Sequence, residues 1–201
     1  MNITTIEELR KLYSAPQERA VKKQISALDV HCRRFVELSP FVVLATSDKR
    51  NNMDASPRGG TPGFIKIDSA GALLVPDSPG NNRLDSLENI IATAQAGLLF
   101  LIPGFDETLR VNGSAVLSCA DHDISLCTDE RRSPKLVIKI VVKAAYLHCA
   151  KAFLRSRLWS NNARVDRTAL PTAGKMISDQ TGIVVAPETR EEMEKRYAPD
   201  L

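Results

Sequence analysis

Between Phe41 and His148 the chain strings short apolar runs together with connections of only a few residues, and that spacing limits its fold more than any single motif does. Phe41–Thr46, Met53–Pro57, Phe64–Asp68, Ala72–Val75 and Gly97–Ile102 read as short strands, followed by the longer Thr108–Cys119 and Lys135–His148. A crossover between parallel strands needs a dozen or more residues, usually a helix, and most of these joins are too short for one. The run therefore predicts antiparallel strands closing into a barrel with helices attached. Helical spacing occurs once inside the run, where Leu84, Leu87, Ile90 and Ile91 place a helix over 83–94. It recurs at the ends: over 3–13, over 17–38 as one helix of several turns, over 151–159 and over 188–197, with 160–174 loop-like. The expected organisation is one domain: N-terminal helices over 1–38, a barrel with one inserted helix over 39–149, and a C-terminal helical segment over 150–201.

Composition removes several function classes. The net charge of +3 is too mild for a nucleic-acid footprint, and aromatics are only 5% of the chain, so stacking platforms for bases are scarce. The four cysteines (Cys32, Cys119, Cys127, Cys149) form no CxxC pair, and the three histidines are scattered, so no metal framework is expected. No apolar run reaches the roughly 18–20 residues of a membrane span. The N-terminus has no apolar core of a signal peptide, and the default expectation is a cytoplasmic protein.

Several stretches carry candidate chemistry. Val75–Ile91 ends an apolar run in a turn-rich segment, and Arg83 then opens the inserted helix with Ser86 in its first turn. Unpaired N–H groups, a cation and a hydroxyl suit a phosphate; the same residues also serve as ordinary helix punctuation. At Arg58-Gly59-Gly60 a cation adjoins two glycines that allow close backbone approach, or simply a turn. Period-2 alternation puts Arg110, Asn112 and Ser114 on one strand face, toward solvent or a pocket, and Val111, Gly113 and Ala115 on the other. In the strand over 135–148, Leu136, Ile138, Ile140 and Val142 take one side and Lys135, Lys139 and Lys143 the other. Lys151 and Arg155 stand four apart, with Trp159 continuing the face; they suit a phosphate-bearing aromatic cofactor, or a basic helix anchored by its tryptophan. No GxSxG elbow, Walker loop or GxGxxG occurs, and no residue is singled out as a general acid or base.

The order of these pieces is more specific than any of them. A strand leads to Asp-Ala-Ser-Pro-Arg-Gly (54–59), then a strand pair, Val-Pro-Asp (75–77) and Asn-Asn-Arg-x-Asp-Ser-Leu-x-Asn-Ile (81–90). Arg-x-Asn-Gly (110–113) follows, and the last long strand runs into Lys151, Arg155 and Trp159. In this order the chain resembles the pyridoxamine 5′-phosphate oxidase-like flavoproteins, most closely a subgroup with that C-terminal Lys/Arg/Trp signature. The resemblance implies a mainly β fold with flanking helices, a six-stranded antiparallel split barrel that binds FMN. It also implies a homodimer holding FMN non-covalently at the interface, and an oxidoreductase moving hydride or electrons between FMN and a small-molecule substrate or electron donor. A non-catalytic flavin or haem carrier or sensor on the same fold is the alternative. By the same resemblance Arg58, Arg83 and Ser86 lie near the phosphate, and Ala55, Ser56 and Pro57 beside the isoalloxazine ring. Asn112 reaches the ring edge, and Lys151, Arg155 and Trp159 come from the facing subunit or close the phosphate side. The chain departs from the oxidase itself: Met53–Arg58 (MDASPR) replaces an Arg-x-Val-Leu-Leu-Lys strand, Asn82-Arg83 replaces an Arg-Lys pair, and the oxidase's C-terminal substrate motif is not recognisable. The FMN expectation survives these changes; pyridoxamine phosphate as substrate is not carried over.

Overall fold

A computed structural model describes residues 2–130 and 132–200. Two short helices open the chain, α1 (Ile6–Lys11) and α2 (Glu18–Lys22). Thr5 caps α1 by accepting from the Glu8 N–H, while the Glu8 carboxylate accepts from the Thr5 N–H, which satisfies two helix-start amides reciprocally. The single helix expected over 17–38 is broken. Ile25 instead pairs with Ala145 through two backbone hydrogen bonds of 3.0 and 2.8 Å. A fresh helix, α3 (Val30–Leu38), then starts where Asp29 accepts from the Cys32 N–H at 2.8 Å. A short carboxylate in that position favours a cap over a helix interior, which explains the break.

The body of the protein is one antiparallel sheet. Its strands are β1 (Phe41–Ser47), β2 (Met53–Gly59), β3 (Lys66–Ile67), β4 (Leu73–Pro76), and, after α4 (Asp85–Thr93), β5 (Gln95–Leu101) and β6 (Thr108–Ser118). Then come α5 (Asp121–Cys127) and β7 (Val137–His148). The strand order is β2-β1-β5-β6-β7-β4-β3, every pair antiparallel, so six principal strands and the two-residue β3 curl into a split barrel. Alternation assigns the inner face: Val42 and Leu44 of β1, Phe100 of β5, and Val111 of β6 are buried and fill it. α4 crosses the barrel and buries Leu87 and Ile90 in the same cluster. Each fully buried side chain of this kind contributes roughly 1.5–3 kcal/mol.

The β6–β7 ladder steps between Asn112 and Gly113, whose partners are Ala144 and Val142, so Lys143 is the extra residue of a bulge. A Cβ on Gly113 would lie 2.2 Å from the Val141 carbonyl oxygen, so only glycine fits there. The lysines of β7 do not simply face water. Lys139 Nζ sits 3.0 Å from Asp68 and 3.1 Å from Asp123, both buried, and the Ser118 hydroxyl donates to Asp123 at 2.7 Å. Burial works against the Asp68 carboxylate, but hydrogen bonds from Lys139 and from the Ala72 and Ala70 amides outweigh it and hold this carboxyl below its usual range. Asp123 is held low by the Ser118 and Lys139 hydrogen bonds, and Lys139 is raised by the same two carboxylates.

Beyond the sheet lie α6 (Lys151–Ser156), two single 3₁₀ turns (Asn161–Ala163 and Arg167–Ala169), α7 (Ala173–Thr181), α8 (Arg190–Tyr197) and a third 3₁₀ turn (Ala198–Asp200). α7 falls mainly beyond the expected loop; it starts on Thr172, which accepts from the Lys175 N–H, and stops at Gly182 with φ of +72°. Helices α1, α2, α6, α7 and α8 bury no residue. Among the described residues no helix is long and apolar enough to cross a membrane.

Candidate functional site

β2 is an edge strand, and its alternation gives it two different surfaces. Asp54, Ser56 and Arg58 turn inward and are partly buried, whereas Ala55 and Pro57 face out and are exposed. The residues expected beside one ring are therefore divided between the faces. At the inner end Asp54 accepts from the Ser86 hydroxyl at 2.5 Å and from Thr46 at 3.5 Å, and Asn89 donates to Thr46 at 3.0 Å. This chain of polar contacts fastens the start of α4 to β1 and β2. Ser86 is buried within it, so its hydroxyl proton serves Asp54, and the phosphate contact expected of it is not formed from an open position.

Arg58 lies at the outer end of β2, where the barrel's two edges approach. Its Nη1 is 3.5 Å from Asp77, which follows β4, so this pair spans the seam; the side chains are only 19% and 21% exposed. Arg58 Nε is buried and has no hydrogen-bond partner among the described residues. A buried unpaired donor is costly, of the order of 1–3 kcal/mol, unless something outside the chain satisfies it.

Arg58 lines a cleft of about 490 Å³, bounded by the end of β2, the loop from Asp77 to Arg83, the start of α4 and the segment Arg132–Lys135. Four of its lining residues are cationic (Arg58, Arg83, Arg132, Lys135) and one, Asp77, is acidic. A partly enclosed concavity with this balance attracts anions. The helix start itself contributes less than its sequence implied. α4 begins at Asp85 rather than Arg83, no side chain caps it, and Asp85 and Glu88 already place negative charge in its first turn. Arg83 is exposed and pairs with Asp85 at 2.5 Å. The anion-seeking groups are thus the loop and the strand end, with Arg58 at the centre.

A second, larger cleft of about 1200 Å³ adjoins the first and shares Gly59, Ser78 and Arg132 with it. Phe64, Lys66 and Cys127 line it on the barrel side, and Arg196 and Tyr197 on the other. Burial pushes the Cys127 thiol up to about 11, so it stays protonated and weakly nucleophilic at neutral pH. No group of three or more His, Cys, Asp or Glu among the described residues is arranged to hold a metal ion.

The remaining expected residues lie elsewhere. Asn112 is exposed on the outer face, opposite Gly97, whose added Cβ would meet the Asn112 amide oxygen at 3.0 Å. Lys151, Arg155 and Trp159 do not share one helical face, because α6 ends at Ser156 and Arg157 turns left-handed at φ of +50°. Trp159 swings instead to donate to the Phe105 carbonyl at 2.7 Å and stacks on Phe153, and Arg155 Nε donates to the Lys151 carbonyl. None of these four lines either cleft in its own chain. Conversely Asp77, Arg132 and Lys135 form cleft walls that the sequence did not single out. Asp77 lies inside the stretch chosen as an anion site, but Arg132 sits in an aperiodic polar segment with no signal to mark it.

The family model described as pyridoxamine 5′-phosphate oxidase matches residues 28–149, more than half of the chain. Among solved structures, HupZ of Group A Streptococcus aligns at 12% identity with a TM-score of 0.49, over 60% of this chain and 93% of that one. A protein from Clostridium acetobutylicum related to general stress protein 26 of the pyridoxinephosphate oxidase family aligns at 11% identity and a TM-score of 0.44, over 59% and 86%. HutZ, the haem storage protein of Vibrio cholerae, aligns at 11% identity and a TM-score of 0.41, over 60% and 94%. No curated protein matches the chain.

Proposed function

The chain belongs to the pyridoxamine 5′-phosphate oxidase family, and from that premise we propose that it binds FMN non-covalently and acts as an oxidoreductase on a small molecule. The observation that carries the reading is Arg58, whose buried Nε has no partner among the described residues, in the wall of a cleft with four cationic lining residues. A phosphate monoester fits this donor set: its oxygens accept charge-assisted hydrogen bonds, and Arg58 presents a fork that can take two of them. Arg58 would hold the phosphate, with Arg132, Lys135 and the loop amides beside it. Asp77, 3.5 Å from the guanidinium, keeps the fork oriented across the seam. Bound FMN supplies the hydride or electron transfer; the protein supplies position and the electrostatic setting.

Two copies facing each other complete this reading. A partner would bring Lys151, Arg155 and Trp159, which reach neither cleft in their own chain, toward the flavin bound by the first.

Purified protein should be yellow, or should take up added FMN with the flavin spectrum perturbed. Arg58→Ala should weaken FMN about a hundredfold, the loss of charge-assisted bonds to one oxyanion, while riboflavin, which lacks the phosphate, is affected little. Equal losses for FMN and riboflavin would remove Arg58 from the phosphate, and a protein indifferent to flavin would overturn the proposal. Anaerobic addition of NADH or NADPH then separates enzyme from carrier: bleaching on a turnover timescale marks an oxidoreductase, and inertness toward both marks a binding protein.

A further inference from the structure

Arg132 belongs to both clefts, and its side chain joins two parts of the chain that are otherwise far apart in sequence. Its Nη2 donates to the Ser78 hydroxyl at 2.8 Å, on the loop that walls the anion cleft, and its Nη1 donates to the Asp200 carbonyl at 3.3 Å, just beyond α8. On the main chain the Arg132 N–H donates to Asp129 Oδ1 at 2.9 Å and the Asp129 N–H donates to the Arg132 carbonyl at 3.1 Å.

α8 has little of its own to hold it in place. Its sequence, REEMEKRY, is charged nearly all round and none of its residues is buried, so no apolar stripe seats it on the barrel. Its strongest contacts are internal to the tail: Arg196 forks onto Glu188 at 2.7 and 2.8 Å and covers the Tyr197 ring at 4.4 Å. Even so, Arg196, Tyr197 and Asp200 form the outer wall of the larger cleft.

We propose that α8 is a detachable cover over the larger cleft, and that Arg132, which lines both clefts, couples its closure to the anion bound at the seam. The proposal rests on the FMN reading for its natural ligand. A guanidinium carries five donors, of which two are in use among the described residues, so a phosphate oxygen can join Arg132 without displacing Asp200. With no anion the contact to Asp200 is long, 3.3 Å, and the guanidinium is otherwise held by the neutral Ser78 hydroxyl. A bound phosphate fixes the plane of the guanidinium through a charge-assisted bond and so removes part of the entropy cost of holding the tail. By linkage the closed tail must hold the anion more tightly by the same factor.

Hydrogen exchange of the amides of residues 190–200 in the full chain tests this, with FMN, with inorganic phosphate at about 10 mM, and without either. Saturating FMN should slow exchange of α8 by about fivefold or more, the lower end of a usual coupling. Arg132→Ala should abolish that slowing and release FMN about tenfold faster, with exchange in β6 unchanged as the check that the barrel is intact. Arg132→Lys, which keeps the charge but lacks the fork, should recover part of the affinity and none of the slowing; it also serves if the alanine variant disturbs the barrel. If FMN binds and α8 exchanges alike with and without it, or if Arg132→Ala leaves the slowing in place, the cover is overturned while the FMN reading stands. If FMN does not bind at all, that reading fails, and inorganic phosphate decides the coupling: slower α8 exchange supports it and an unchanged rate overturns it.

Discussion

Two cations in this protein sit in partly buried surroundings and differ in one respect that separates structure from site. Lys139 lies between Asp68 and Asp123 at 3.0 and 3.1 Å, and its network also includes Ser118 and two backbone amides. Arg58 has one carboxylate at 3.5 Å and a buried Nε with no partner. The first is complete within the chain and so is a folding element; the second awaits an acceptor. Replacing Lys139 by Met should therefore leave FMN affinity unchanged while destabilising the fold, because two buried carboxylates lose their shared counter-ion. The loss should fall toward the lower end of ~3–5 kcal/mol, since the Lys139 side chain is 30% exposed. Both carboxyls are depressed in the folded state, so their contribution is present above about pH 4, the unfolded range, and disappears as pH falls through their lower folded values. Lys139 is raised, so its contribution is complete below about pH 10.4 and disappears as pH rises through its folded value. Urea unfolding of both proteins across pH should thus give a gap that is constant from about pH 5 to 10 and closes at both extremes. A gap independent of pH below 4 would show that the charges are not its source.

At the scale of elements, β2 and α4 show what a sequence reveals and what it conceals. The alternation of β6 was legible because burial follows period 2: Val111, Gly113 and Ala115 are buried while Arg110 and Asn112 are exposed. The antiparallel sheet was legible because the connections are too short for anything else. The phosphate role given to Ser86 was a local inference from a helix start, and it missed a partner 32 residues away, since nothing in the spacing announces that Asp54 would face it. Arg132 was illegible for the same reason: its value comes from Ser78 and Asp200, 54 and 68 residues distant. The break of the helix at Ile25 likewise depends on a bridge to Ala145. The Ser86 contact carries its own prediction. Ser86→Ala should cost about 1–3 kcal/mol in thermal or urea unfolding, by leaving a half-buried Asp54 carboxylate short of a donor. FMN affinity should change less than threefold, whereas a hundredfold loss of FMN with unchanged stability would return Ser86 to the phosphate.

For the whole molecule the question is what the outer face of the sheet and the terminal segments are for. Ala55, Ala45, Gly97, Asn112 and Ala144 are successive partners across β2, β1, β5, β6 and β7, a row of small residues on the side away from the core. Met53 on this face is 76% exposed and Val141 56%, and Leu154 of α6 and Leu158 just beyond it are exposed as well. Small residues let another backbone approach closely, and flanking apolar side chains supply area to bury, so this face suits a second copy better than it suits water. Such a dimer also explains why Lys151, Arg155 and Trp159 lie away from the clefts of their own chain. Light scattering should then give twice the 22.1 kDa of one chain. Ala45→Arg, which puts a charged side chain in the middle of the row, should yield a folded monomer with a normal circular dichroism spectrum and FMN weakened at least tenfold, because each cleft loses what the other chain brings to it. Lys49→Arg, in the exposed β1–β2 turn, should change neither property. If Ala45→Arg remains a dimer that holds FMN normally, the two copies meet elsewhere and each cleft is complete within one chain; if it becomes a monomer that still holds FMN normally, the face joins the copies without contributing to the flavin.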